Sequence, residues 1–138
     1  MDATSLSAEL AAMPLFTGLD ERQLEEVAGS VLTRRVKAGK TIIKEGQWGH
    51  EFLLVLAGEL EVRRDGQVVA TIGAGSFVGE LAVLGDVRRS ATVVAKTPVA
   101  IGAIPASLFD ALIFDIPVLA ERVKAAGARY SPPAAPPA

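Results

Sequence analysis

The chain has 138 residues, of which 50% are apolar and 22% charged, with no cysteine and a formal net charge of −2 at pH 7. This composition is typical of one soluble globular domain with a buried core, and it excludes disulfides and cysteine-ligated metal sites. The slightly acidic balance disfavours general nucleic-acid binding, and no apolar run reaches the roughly 18 residues of a membrane span.

Residues 4–29 have the pattern of two helices. Leu6, Leu10 and Met13 recur at helical spacing. Asp20, with Gln23 three residues later, predicts a capping box at the start of the second helix. The apolar positions of that helix are Leu24, Val27 and Ala28. The link between the helices, residues 14–19, predicts a turn with two core anchors.

Residues 31–104 change to short strands separated by turns, which indicates an antiparallel β-roll or jelly-roll barrel. Asp65-Gly66 is a pair favoured in tight hairpins. The segment 59–63 before it alternates apolar and charged residues and predicts a strand with one wet face. The predicted strands are 41–44, 51–57, 59–63, 68–72, 92–95 and 99–104. The fold class is therefore mainly β, with helices before and after the barrel.

Residues 105–129 again predict helices. The first spans 105–114 with Leu108, Leu112 and Ile113 on its packed side, and Pro117 suits the first turn of the last helix. For Phe114 we expect core packing. Residues 131–138, rich in proline and alanine, predict a disordered tail or linker. Residues 1–130 thus form one predicted domain.

Residues 79–91 read GELAVLGDVRRSA and can hold a small phosphate ester. Gly79 lets the backbone approach a ligand closely because it has no Cβ. Glu80, Leu81 and Ala82 can form one helical turn whose free N–H groups point at an anion. Arg89 supplies a charged fork for two phosphate oxygens, whereas the acceptor Glu80 suits a ribose hydroxyl. The pattern favours a ligand that combines phosphate and ribose.

This stretch resembles the phosphate-binding cassette of cyclic nucleotide-binding domains, whose usual form is F-G-E-L-A-L, a short loop and then R-(A/S/T)-A-T-V. The chain has FVGELAVL from Phe77 and RSATV from Arg89. The resemblance extends over the predicted strands on both sides. It departs from the usual form at two places: Val78 is an extra residue, and Arg88 stands where many members carry proline. Register favours Arg89 over Arg88 as the phosphate ligand.

The resemblance implies a role for each residue of the predicted binding site. Glu80 would bind the ribose 2′-hydroxyl, and Arg89 would bind the cyclic phosphate. Backbone amides from Gly79, Glu80, Leu81 and Ala82 would complete the cradle. Ser90, directly before Ala91, would add a hydroxyl donor to the phosphate or the purine.

The resemblance also implies a regulatory module that binds cAMP, or alternatively cGMP, and moves its C-terminal helices toward a protein partner or fused effector. We expect no further cofactor, no metal and no nucleic-acid partner. With neither a signal-peptide pattern nor cysteine, we expect a cytoplasmic location. Two alternatives stay open: a ligand-silent interaction or scaffold domain of the same fold, and a regulatory fragment of a larger enzyme or channel.

Catalytic patterns are missing from the sequence. It has no nucleophile elbow, no Walker loop and no metal-spaced histidine cluster, so we do not expect an enzyme. His50, the sole histidine, is predicted to be a surface residue. Trp48, in the same turn, is expected to be packed or exposed rather than to cover a ligand.

Overall fold

A computed structural model of the chain describes residues 3–44, 51–78 and 91–130. It begins with helix α1 (Ala3–Ala11), a single 3-10 turn (Pro14–Phe16) and helix α2 (Glu21–Gly29). The predicted capping box is confirmed: the Gln23 amide donates to Asp20 Oδ1 at 2.8 Å, and the Asp20 amide donates to Gln23 Oε1 at 3.0 Å. These two bonds satisfy backbone donors that the first turn of a helix otherwise leaves free.

The middle of the chain forms a jelly roll of two four-stranded antiparallel sheets, as predicted. One sheet has the order β1-β8-β3-β6 and the other the order β2-β7-β4-β5. The strands are β1 (Leu32–Val36), β2 (Thr41–Ile43), β3 (Glu51–Ala57), β4 (Glu59–Arg64), β5 (Gln67–Gly73), β6 (Phe77–Val78), β7 (Thr92–Ala95) and β8 (Val99–Pro105). We call the sheet that contains β1 the first sheet and the sheet that contains β2 the second sheet.

The hairpin between β4 and β5 turns at the predicted Asp65-Gly66 pair. Asp65 has a φ of 54° and Gly66 a φ of 80°. Two consecutive left-handed residues match the twist of the flanking strands in a tight two-residue hairpin. On β4 itself, Leu60 is buried while Glu61 and Arg63 form an ion pair on the opposite side. This arrangement agrees with the predicted strand that has one wet face.

The apolar side chains form two cores, one on each face of the first sheet. Strand β3 contributes to both because successive side chains point to opposite faces. Leu53 and Val55 lie in the inner core between the two sheets. Phe52 and Leu54 lie in the outer core, between the first sheet and the helices. All four residues are at most 3% exposed, so β3 is buried on both sides.

The chain continues from β8 into helix α3 (Ala106–Asp115) and helix α4 (Pro117–Tyr130), with Pro117 at the predicted start of the last helix. The packed side of α3 differs from the prediction. Phe109 is buried at 2% exposure, whereas Leu108 is 44% exposed and Phe114 is 85% exposed. The α3 sequence ASLFDALIFD carries apolar residues on every side, so helical spacing alone does not select one face. The tail, residues 131–138, lies outside the described residues.

Candidate functional site

Most of the predicted binding residues lie outside the residues that the structure describes. These binding residues are Gly79, Glu80, Leu81, Ala82, Arg89 and Ser90. Arg88, Trp48 and His50, which the sequence analysis also considered, lie outside the described residues as well. Ala91 is described and is buried at 8% exposure. The structure therefore defines the candidate site through the two points at which segment 79–90 leaves and rejoins the jelly roll.

The segment leaves the first sheet at the end of β6. This strand pairs with β3, with Phe77 opposite Leu54 and Val78 opposite Leu53. The loop before β6 is also held by β3, because Val55 donates to Ser76 O at 2.8 Å and accepts from the Gly75 amide at 2.9 Å. Val78 packs in the inner core and Phe77 in the outer core. The departure point is therefore fixed by both cores.

The segment rejoins the second sheet at the start of β7. Thr92 lies opposite Arg63 and Val93 lies opposite Val62 on strand β4. Val93 is 4% exposed and belongs to the same inner core as Val78. Segment 79–90 thus connects the two sheets, and the residues at both of its ends are buried in the core that the sheets share.

Arg63, the residue opposite Thr92 at the return point, is paired with a carboxylate. Arg63 Nη2 lies 2.6 Å from Glu61 Oε1, and its Nε donates to the same oxygen at 3.2 Å. The two side chains are 42% and 21% exposed. A charge-assisted pair of this kind lowers the ability of Arg63 to balance a second anion. The pair was not predicted, although two opposite charges two residues apart on one strand face indicate it.

Three aromatic rings connect β6 with the C-terminal helices. The ring centroids of Phe52 and Phe77 are 5.3 Å apart, and those of Phe52 and Phe109 are 4.3 Å apart with an interplanar angle of 15°. We call these three residues the aromatic row. Phe77 lies in β6, directly before the departure point of segment 79–90, and Phe109 lies in α3. The row therefore runs from that departure point to the helix that follows the jelly roll.

Among the described residues, no group of three or more histidine, cysteine, aspartate or glutamate side chains could hold a metal ion. In the same part of the chain, none of the helices is both long and apolar enough to cross a membrane.

Comparison with known proteins identifies a domain family and individual proteins that are similar to this chain. The model of the cyclic nucleotide-binding domain matches residues 33–115. The cAMP-dependent protein kinase regulatory subunit of Schizosaccharomyces pombe is 34% identical over 105 residues, which cover 75% of this chain and 26% of that protein. The cGMP-dependent protein kinase of Eimeria tenella is 35% identical over 98 residues, which cover 71% of this chain and 10% of the kinase.

A solved structure supports the same fold. The catabolite activator protein of Thermus thermophilus superposes with a TM-score of 0.76 and 30% sequence identity, covering 85% of this chain and 57% of that chain. The chain therefore spans only a part of each of these similar proteins.

Proposed function

Because this chain belongs to the cyclic nucleotide-binding domain family, we propose that it binds cAMP, in preference to cGMP, in segment 79–91. The observation that carries the proposal is the frame of this segment. Val78 and Val93, which lie just before and just after it, pack in one core between the sheets, so the segment is anchored on both sides. Anchored ends reduce the ordering cost that a flexible loop has on binding an anion.

We assign the cyclic phosphate to Arg89. The chain has a net charge of −2, so a broad positive field cannot attract the ligand. Arg63, at the return point, is paired with Glu61. Within the segment itself, Arg89 offers a planar fork for two phosphate oxygens, so we assign the charge balance to this residue.

The remaining residues of the segment complete the proposed site. Gly79 permits close approach, and the backbone amides of Glu80, Leu81 and Ala82 face the phosphate. The Glu80 carboxylate accepts a hydrogen bond from the ribose 2′-hydroxyl. Ser90 donates its hydroxyl to the phosphate or the purine. Ala91 is buried and small, so it brings the backbone before β7 close to the ligand.

The regulatory output of the proposed domain, residues 1–130, is a shift of α3 and α4. A ligand changes a conformational equilibrium only when it binds one arrangement better than the other. Tightening of segment 79–91 around a cyclic phosphate would pull on β6 and displace the Phe77 ring. Phe52 contacts both Phe77 and Phe109, so the displacement reaches α3. The effector that responds lies on a partner protein or on a further part of the polypeptide.

Isothermal titration calorimetry of the purified chain with cAMP and cGMP tests the proposal directly. We expect saturable binding of both nucleotides at one site, with cAMP bound more tightly. If neither nucleotide gives a heat of binding, the proposal is contradicted. That result would favour a scaffold domain that has the same fold but binds no nucleotide. Tighter binding of cGMP would overturn only the choice of purine.

The two adjacent arginines provide a matched pair of variants. Arg89→Ala should weaken cAMP binding by about 2–4 kcal/mol, because the phosphate loses its paired charge in a desolvated site. Arg88→Ala removes the same charge one residue earlier and should leave the affinity within about threefold. Calorimetry on both variants measures the difference, and unchanged thermal unfolding without ligand confirms their folding. A large loss in Arg88→Ala alone would transfer the phosphate role to Arg88.

The ribose assignment of Glu80 is tested with 2′-deoxy-cAMP. Glu80→Gln should weaken the binding of cAMP more than that of the deoxy analogue, because the deoxy analogue has no 2′-hydroxyl to donate. The double-mutant cycle formed by two proteins and two ligands isolates this one hydrogen bond. Equal losses for both ligands would contradict the role of Glu80 at the ribose.

A further inference from the structure

Helix α3 carries an apolar stripe on the side that faces away from the outer core. The stripe consists of Leu108, Ala111 and Phe114, which follow one another at intervals of three residues and therefore lie on one side of the helix. Leu108 is 44% exposed and Phe114 is 85% exposed. Scattered exposed leucines are ordinary, but a nearly bare phenylalanine that continues an apolar helix face is typical of an interaction surface.

The charged residues of helix α3 itself are acidic. Helix α3 contains Asp110 and Asp115, both exposed, and it has no lysine or arginine. Asp115 faces Glu26 on α2, and the hydrogen bond between the two carboxyl groups, with a smaller effect of desolvation, raises the pKa of Glu26. The positive charge of Arg22 opposes that shift in pKa without cancelling it. A carboxyl pair of this kind is stabilised when an added cation approaches.

We propose that the stripe, together with Asp110, Asp115 and Glu26, is a docking surface for a basic amphipathic helix of an effector protein. The apolar face of such a helix would cover Leu108 and Phe114, as in helix-in-groove recognition. Its lysine or arginine residues would pair with the three carboxylates at the rim. The proposal rests on the proposed function in one respect: α3 is the helix that cyclic nucleotide binding is proposed to move.

The same charges argue against two other occupants. A symmetric contact between two copies of this chain would pack the stripe of one copy against the stripe of the other. It would bring Asp110 and Asp115 of both copies together, and their negative charges would repel. A membrane with anionic headgroups would be repelled by the three carboxylates. A basic helix is the occupant that satisfies the apolar stripe and its acidic rim together.

The binding test uses a synthetic amphipathic helix made of leucine and lysine, labelled with a fluorophore, and the complete chain. Fluorescence anisotropy should report saturable binding that weakens as salt is added, because exposed ion pairs are screened. A peptide with glutamate in place of every lysine should bind at least about tenfold more weakly. Equal binding of the two peptides, or no binding of the lysine peptide, would overturn the proposal.

Two variants locate the contact. Phe114→Gln and Asp115→Asn should each weaken peptide binding, the first by about tenfold or more because it removes the largest apolar side chain of the stripe. Val69→Gln is the matched control, because Val69 is 52% exposed on β5, away from the stripe, and should leave peptide binding unchanged. If the Phe114→Gln variant binds the peptide as tightly as the wild type does, the stripe on α3 is not the docking surface.

The remaining measurements separate this proposal from the proposed function. Phe114→Gln should keep its cAMP affinity in calorimetry, so a failure of the docking surface leaves the ligand site intact. Sedimentation of the free chain should report a monomer. A dimer that Phe114→Gln dissociates, or binding to anionic vesicles that the variant loses, would replace the basic helix with a different occupant and so overturn the proposal.

Discussion

Gly58 joins β3 to β4 at a point where the backbone of another loop passes very close. Its φ is +90°, and a Cβ atom added there would lie 2.4 Å from Pro98 O and 2.6 Å from Val99 Cγ1. Because Gly58 separates the predicted strands 51–57 and 59–63, the sequence predicts a turn here. It does not predict the contact with residues 98–99, because that contact depends on how the second sheet and β8 pack against each other.

Two glycine substitutions separate backbone strain from steric conflict. Gly58→Ala should lower the free energy of unfolding by roughly 2–5 kcal/mol, because it adds a clash with fixed backbone to the cost of a positive φ. Gly39 has a similar φ of +88° with no atom within 4 Å of the added Cβ, so Gly39→Ala should cost only roughly 1–2 kcal/mol. Urea denaturation measures both values. Equal losses would contradict the close approach at Gly58.

At the scale of elements, the sequence predicts strands better than helix faces. The strands 51–57 and 92–95 have the predicted bounds, because a short apolar run between turn residues leaves few alternatives. On α3, the spacing of Leu108 and Leu112 suggests one packed face, whereas the outer core selects Phe109 and Leu112. Phe109 stacks on the ring of Phe52, which lies far away in the sequence, so helical spacing on α3 does not reveal this choice.

For the candidate site, the sequence predicts which residues bind the ligand but not which residues surround the segment. Glycine, carboxylate and arginine in one short segment indicate a site for a phosphate and a ribose, and the family pattern gives each residue a role. The pairing of Thr92 with Arg63 and the ion pair of Arg63 with Glu61 depend on strand register. Register follows from the two packed faces of the sheets rather than from the segment itself.

A long-range hydrogen bond links helix α4 to the N-terminal part of the chain. Arg122 Nη1 donates to the carbonyl oxygen of Leu15 in the 3-10 turn at 2.9 Å. Leu15 is 5% exposed, so its carbonyl oxygen is poorly placed to bond to water instead. Next to this bond, Leu119 and Val123 pack in the outer core.

Removing the Arg122 donor should loosen α4 without unfolding the jelly roll. Arg122→Met keeps the apolar stem of the side chain but takes the charged donor from the Leu15 carbonyl, at a cost of roughly 1–3 kcal/mol. Lys124→Met is the control, because Lys124 is exposed on the same helix. Hydrogen exchange should become faster in α4 for Arg122→Met only. Equal exchange in the two variants would mean that the bond does not hold the helix.

At the scale of the whole molecule, the two cores meet at β3. The inner core contains both ends of segment 79–90, and the outer core contains the N-terminal helices, α3 and α4. A change in the segment therefore has a short route to the helices through packed side chains. Spatial proximity alone is not coupling, which requires an element whose equilibrium both sites bias.

A pair of phenylalanine substitutions tests whether the aromatic row transmits ligand binding. Phe109→Leu keeps an apolar side chain in the outer core but removes the ring that stacks on Phe52 at 4.3 Å. Phe16→Leu removes a ring that is equally buried, at 2% exposure, in the same core. Both variants should lose a similar amount of stability, on the order of 1–2 kcal/mol.

The readout is hydrogen exchange of α4 with and without saturating cAMP. In the wild type and in Phe16→Leu, cAMP should change the protection of the α4 amides. In Phe109→Leu this change should be lost while calorimetry still detects cAMP binding, because the ligand site remains and its link to α3 is broken. If Phe109→Leu keeps the full response, or if Phe16→Leu loses it equally, the signal passes through the outer core as a whole rather than through the aromatic row.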